Sequence, residues 1–150
     1  MVLLFVCKAN IVRSYMAEGI LKEKLRRAQR FDITVHSAGL IDMHGSQADP
    51  AAEKILEEKG YSLPGHQSKL LTREMMEQAD WIIVMEALQQ SEILESYPEG
   101  RDKIRLLKSF SRDFDGSNTD IKDPYRQSTY LYRLCFSEIY LAMDGLMKCI

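Results

Sequence analysis

The chain opens on a short, wholly apolar run, Val2-Leu3-Leu4-Phe5-Val6, and three more short runs rich in apolar or β-branched residues recur along it: Ile33–Ser37, Trp81–Met85 and, more weakly, Ile104–Leu107. Short runs of this kind suit strands covered on both faces. The segments between them have helical spacing. From about Ser14 to Ala28 the apolar positions are Ala17, Ile20, Leu21, Leu25 and Ala28. A second helix is expected from Asp49-Pro50, where Asp caps and Pro fits the first helical position, to Gly60, with Ala52, Ile55 and Leu56 inward. Thr72 starts a short helix ending before Trp81, and Ala87–Ser96 forms another before Pro98. The last, Gln127 to about Lys148, carries a stripe of Leu131, Cys135, Ile139, Ala142 and Leu146, widened by Leu134 and Phe136. Strands separated by helices pair in parallel through right-handed crossovers. The expected fold is therefore α/β: a doubly wound, mostly four-stranded parallel sheet with helices on both faces. No repeat or linker divides residues 1–150, which are read as a single domain.

Composition narrows the chemistry. With 45% apolar residues in 150, a core can form without staples, since a chain of this size hides about 70% of its unfolded surface. Twenty basic against 22 acidic side chains leave a net charge of −2, which supplies no field for nucleic acid or an anionic membrane. Any anion preference must be local. Cys7, Cys135 and Cys149 form no CxxC pair, and no His stands at metal-ligand spacing, so neither a disulfide scaffold nor a metal site is expected. The opening run is too short for a membrane span and lacks the basic lead of a signal peptide. Cytoplasmic localisation is the expectation.

In doubly wound sheets ligands sit beyond the carboxyl ends of the strands, near the point where strand order reverses. The loop after the first strand reads Cys7-Lys8-Ala9-Asn10-Ile11-Val12-Arg13-Ser14. A tight strand-to-helix turn here aims successive N–H groups, from about Lys8 to Arg13, at one point, and the helix N-terminus reinforces the resulting anion nest. Arg13 adds a bidentate clamp for two phosphoryl oxygens. Cys7 lies at the floor, where amides, Arg13 and the Ser14 hydroxyl favour thiolate, a strong nucleophile.

Displacement at a phosphate ester also needs a proton for the leaving oxygen and a base for water, and one carboxylate can do both in turn. Asp123 in Asp120-Ile121-Lys122-Asp123-Pro124-Tyr125 is the candidate, because Pro124 biases it toward an extended loop conformation and Tyr125 offers an aromatic wall. On spacing alone an ordinary turn is an equal reading.

Taken together, Val6-Cys7 through Ala17-Glu18, Ser37-Ala38-Gly39-Leu40, Trp81 through Glu86 and Asp123-Pro124-Tyr125 resemble the low-molecular-weight protein tyrosine phosphatases, especially bacterial members. The resemblance implies their flavodoxin-like fold and hydrolysis of phosphotyrosine without a cofactor. It makes Cys7 the nucleophile, Arg13 the phosphate clamp and Asp123 the general acid. Lys8, Ala9, Asn10, Ile11, Val12 and Ser14 complete the phosphate loop, with Leu40 and Tyr125 at the substrate rim. Asn10 matches the residue held left-handed, and Ser14, Ser37 and His66 its supporting hydrogen-bond partners. The implied partner is a phosphotyrosine-bearing protein, with a bacterial tyrosine autokinase or an exopolysaccharide-pathway protein as candidates.

Three positions depart from the family pattern. Ala9 stands at a usual glycine, Tyr15 at a common proline, and Val12 replaces a cysteine that in many relatives forms a protective disulfide with the nucleophile. The rival readings are a thiol-dependent arsenate reductase, which shares Met16-Ala17-Glu18-Gly19, a protein-arginine phosphatase, and a non-catalytic phosphate-binding module. The reductase needs resolving cysteines, and none occurs between Cys7 and Cys135. The arginine-specific branch tends to carry Thr where this loop has Ile11.

Overall fold

A computed structural model describes residues 1–150. Four strands, β1 (Val2–Cys7), β2 (Thr34–Gly39), β3 (Trp81–Val84) and β4 (Ile104–Leu106), pair in parallel in the order β2-β1-β3-β4. The helices are α1 (Arg13–Arg27), α2 (Pro50–Glu58), α3 (Arg73–Gln78), α4 (Ala87–Ser96) and α5 (Thr129–Leu146). The chain leaves β1 for β2 on one side and later for β3 on the other, so the reversal of strand order lies at the carboxyl end of β1, where Cys7 sits.

The side chains of β1 alternate between two cores. Leu3, Phe5 and Cys7 face α1, α2 and α5, whereas Leu4 and Val6 face α3 and α4. Thr72 caps α3 where expected, accepting the N–H of Met75 at 3.2 Å. Asp49, expected to cap α2, accepts no N–H of that helix, because its carboxylate takes the hydroxyl of Tyr132. Ser128, not foreseen, caps α5 by accepting the N–H of Leu131 at 3.3 Å. Ser128 in that role delays α5 by two residues from the expected start at Gln127.

Strand ends follow the register. β2 begins at Thr34 and reaches Gly39 because it pairs with β1 from Val2 to Cys7. β3 stops at Val84, since Met85 directs its N–H to the side chain of Gln89 and its carbonyl to the N–H of Ile121. Leu107, expected at the end of β4, opens a 3-10 turn that runs to Phe110.

Three inward assignments are corrected. Ala28 is the exposed cap of α1 rather than part of its buried face. Leu131 is only half-buried and belongs to neither core, Leu134 is 41% exposed, and Tyr132 and Met143 complete the inner stripe of α5 instead. That helix is apolar around most of its circumference, so packing, not period, chooses the face. Gly145 lets it approach the turn at Phe110, where an added Cβ would stand 1.8 Å from the Phe110 carbonyl oxygen.

Candidate active site

The loop from Lys8 to Val12 is shaped by Asn10, whose φ is 58°. A short amide side chain tolerates this left-handed conformation. Every polar atom of Asn10 is engaged. Its backbone N–H points to Cys7 Sγ at 3.3 Å, and its carbonyl meets His66 Nε2 at 2.7 Å. Its side-chain oxygen accepts the N–H of Lys69 at 3.0 Å, and its Nδ2 donates to Ser14 Oγ and Ser37 Oγ, both at 2.8 Å.

Those donations set the direction of the neighbouring hydroxyls. Ser14 Oγ accepts from Asn10, so its own proton is available to Cys7 Sγ at 3.0 Å. Ser37 likewise accepts from Asn10 and donates to Glu18. A chain of hydrogen bonds thus runs from the Glu18 carboxylate to the sulfur.

Strand β2 braces the loop from the side. Leu40 N–H bonds the Cys7 carbonyl at 3.0 Å and Ile41 N–H that of Lys8 at 2.9 Å. Gly39 permits the approach, because a Cβ there would lie 2.9 Å from the Ala9 carbonyl carbon. The N–H of Asp49, at the head of α2, holds the Ile11 carbonyl at 3.0 Å. Helix α1 carries no side-chain cap and no acidic residue in its first turn, which leaves its N-terminal donors to an anion.

Arg13 begins α1 and is 2% exposed. Its Nη1 pairs with Glu86 and donates to the Ile121 carbonyl at 2.9 Å, its Nη2 stands 3.6 Å from Asp123 Oδ2, and its Nε has no partner in the protein. Burial opposes the charge, but Cys7, Glu86 and Asp123 outweigh it and hold the guanidinium above its ordinary pKa. Asp123 is anchored by accepting the Tyr125 N–H at 3.1 Å.

These groups meet in a cavity of about 170 Å³ lined by Cys7, Lys8, Ala9, Ile11, Val12, Arg13, Ile41, Met43, Asp123 and Tyr125. The sulfur, the guanidinium and the carboxylate therefore share one small space, with donors directed at an anion and apolar walls around it. No cluster of side chains able to hold a metal ion is present. Ser37 and His66 stand behind the loop as expected, but Leu40 does not line this cavity, because its N–H bond to Cys7 turns it toward a neighbouring groove; Ile41 and Met43 take its place. Ala9 has no positive φ, so glycine is not required there. Tyr15 fills the proline position as a core residue, 1% exposed, with its ring 4.9 Å from that of His66. Glu86 and Glu18 escape a reading of the sequence, although Glu86 follows the end of β3, where site residues of such sheets gather.

The family model of low molecular weight phosphotyrosine protein phosphatases matches residues 2–150. The chain belongs to this family. Among its relatives, the low molecular weight protein-tyrosine-phosphatase Ptp of Acinetobacter johnsonii is 37% identical over 124 residues, which cover 83% of this chain and 80% of that protein. The protein-arginine-phosphatase of Geobacillus stearothermophilus is 35% identical over 146 residues, 97% of this chain and 93% of that protein. The crystal structure of the low molecular weight protein tyrosine phosphatase from T. tengcongensis superposes with a TM-score of 0.91 at 31% identity, covering 100% of this chain and 99% of that one. The sheet order and the helices on both faces are those of a low molecular weight phosphatase, a hydrolase fold.

Proposed function

We propose that this phosphatase hydrolyses phosphotyrosine through a cysteinyl-phosphate intermediate. The observation that carries the reading is that Cys7, Arg13 and Asp123 line one cavity whose other walls, Ile11, Val12, Ile41, Met43 and Tyr125, are apolar or aromatic. The Cys7 thiolate attacks phosphorus as the bond to the tyrosyl oxygen breaks, and Asp123 gives its proton to that oxygen. Loop amides and Arg13, aligned by Glu86, hold the charge that builds on the equatorial oxygens. Water then attacks the phosphocysteine, Asp123 takes its proton, and phosphate leaves with the thiolate restored.

Lys8, Ala9, Ile11 and Val12 line the phosphate site, Asn10 and Ser14, which are fully buried and outside the cavity lining, shape it from behind, Tyr125 stacks on the ring, and Ser37 and His66 support Asn10. Residues 1–150 act as one domain, in the cytoplasm, where the three free cysteines persist. The partner is a phosphotyrosine-bearing protein, with a tyrosine autokinase or an exopolysaccharide-pathway protein as candidates.

A second reading, phosphoarginine hydrolysis, is favoured by the arginine-phosphatase relative at 35% identity. A phosphorylated guanidinium needs polar partners, however, and Asp123 is the one carboxylate lining the cavity, beside Ile11. Turnover of phosphotyrosine and phosphoarginine peptides by the same enzyme, with Cys7→Ser as the blank, decides between them. Faster release from phosphoarginine, or turnover that survives Cys7→Ser, would defeat the first reading.

A further inference from the structure

Beside the catalytic cavity runs a groove of about 380 Å³ that shares Lys8, Arg13, Ile41 and Asp123 with it. Its outer wall is α4, where Leu88 and Glu92 stand one turn apart on the same helical face. Leu88 is 65% exposed and belongs to neither core, and Ile41 is 42% exposed. Arg13 is already matched by Glu86 and Asp123, whereas Lys8 and Glu92 form no ion pair in the protein. Bare apolar surface and one unmatched carboxylate therefore open directly off the site of chemistry.

We propose that this groove seats a lysine or arginine of the substrate protein that neighbours the phosphorylated residue, its aliphatic stem on Leu88 and Ile41 and its charged head at Glu92. Long basic side chains are amphipathic along their length, and the groove offers the same sequence of surfaces. The charges are ordered to suit: Lys8 and Arg13 at the shared end favour the phosphate, and Glu92 favours a cation farther out. An acidic neighbour would instead meet Glu86, Glu92 and Asp123.

The inference rests on the phosphotyrosine reading, and the experiment separates the two. Peptides carry Lys or Glu within about three residues of phosphotyrosine, the reach of an extended segment across such a groove. The quantity measured is the ratio of kcat/KM for the Lys and Glu peptides within each enzyme, so losses common to both cancel. Wild type is expected to prefer Lys by about fivefold, less at high salt. Glu92→Gln should bring the ratio near unity, and Glu92→Lys should reverse it. No preference in wild type, or a preference unaltered in Glu92→Lys, overturns the assignment. Failure of wild type to turn over either phosphotyrosine peptide overturns the phosphotyrosine reading, and the groove with it, whereas turnover of both at equal rates overturns the groove alone.

Discussion

The phenol of Tyr132 donates to the carboxylate of Asp49, and the same oxygen accepts the backbone N–H of Arg126 at 3.3 Å. Because Asp49 also holds the Ile11 carbonyl, one hydroxyl ties the phosphate loop to the loop that carries Asp123. Burial and then Asp49 hold this phenol protonated, with its pKa raised above the ordinary value. Tyr132→Phe removes the tie while keeping the ring. The expected loss is about tenfold in kcat for phenyl phosphate, on the order of 1.4 kcal/mol, with a smaller loss for p-nitrophenyl phosphate, whose leaving group needs less help. Equal losses on both esters would show that Asp123 does not depend on this bond.

Glu86 pairs with Arg13, the proposed phosphate clamp. Glu86→Gln keeps the shape but takes a charge from Arg13, whose Nη1 then meets a neutral amide. A fall in kcat/KM of about 10- to 100-fold is expected, together with weaker competitive inhibition by inorganic phosphate. Steady-state kinetics with phosphate as inhibitor checks both, and unaltered inhibition would remove Glu86 from phosphate binding.

Asn10 combines hydrogen bonding with an unusual backbone angle, and two substitutions separate these. Asn10→Ala and Asn10→Gly both delete the bonds to Ser14, Ser37 and Lys69. Alanine also bears the left-handed conformation, at about 1 kcal/mol more than glycine. Urea unfolding should therefore place Asn10→Ala below Asn10→Gly by that amount, with both below wild type.

Alkaline stability carries a signature of Tyr15. Burial, then Glu53 and Glu57, push its phenol up to about 12, against an ordinary value near 10. The folded form keeps a proton that the unfolded chain releases, so this contribution is complete below pH ~10 and is lost as pH rises through about 12. Wild type should lose stability over that interval more steeply than Tyr15→Phe, by up to about 1.4 kcal/mol per pH unit. Parallel curves from denaturant titrations at several pH values would contradict this.

Oxidation should inactivate the enzyme without an internal rescue. Val12 carries no thiol, and Cys135 is buried on α5, where burial raises its pKa and makes it a poor resolving group. Peroxide is expected to take Cys7 through sulfenic to sulfinic acid, which dithiothreitol does not reverse. Peptide mass spectrometry revealing a Cys7–Cys135 or Cys7–Cys149 disulfide would refute it.

The strands and helices were legible because each has its own contiguous pattern, down to the limits of α4 at Ala87 and Ser96. What escaped depends on neighbours distant in the chain. Register with β1 extends β2 to Gly39, and the choice between Leu134 and Tyr132 on α5 needs a view of the core. The site divides in the same way. Cys7, Arg13 and Ser14 fall within eight consecutive residues and point to an anion loop, whereas Asp123 needed the family pattern. Glu18 and Glu86 act on partners 19 and 73 residues away, and no local motif marks either.

The bonds that shape the loop at Asn10 come from Ser37, His66 and Lys69, which close chain segments of 27, 56 and 59 residues. Such closures are costly in chain entropy and become favourable only once β2 and the turn at Gly65 have docked. The bonds around Asn10 are therefore expected to form late in folding, so the proposed phosphate site exists only in molecules that have finished. Thermal stabilisation by phosphate would count the mature fraction of a preparation, and a chain still being made has no grip on a phosphoprotein.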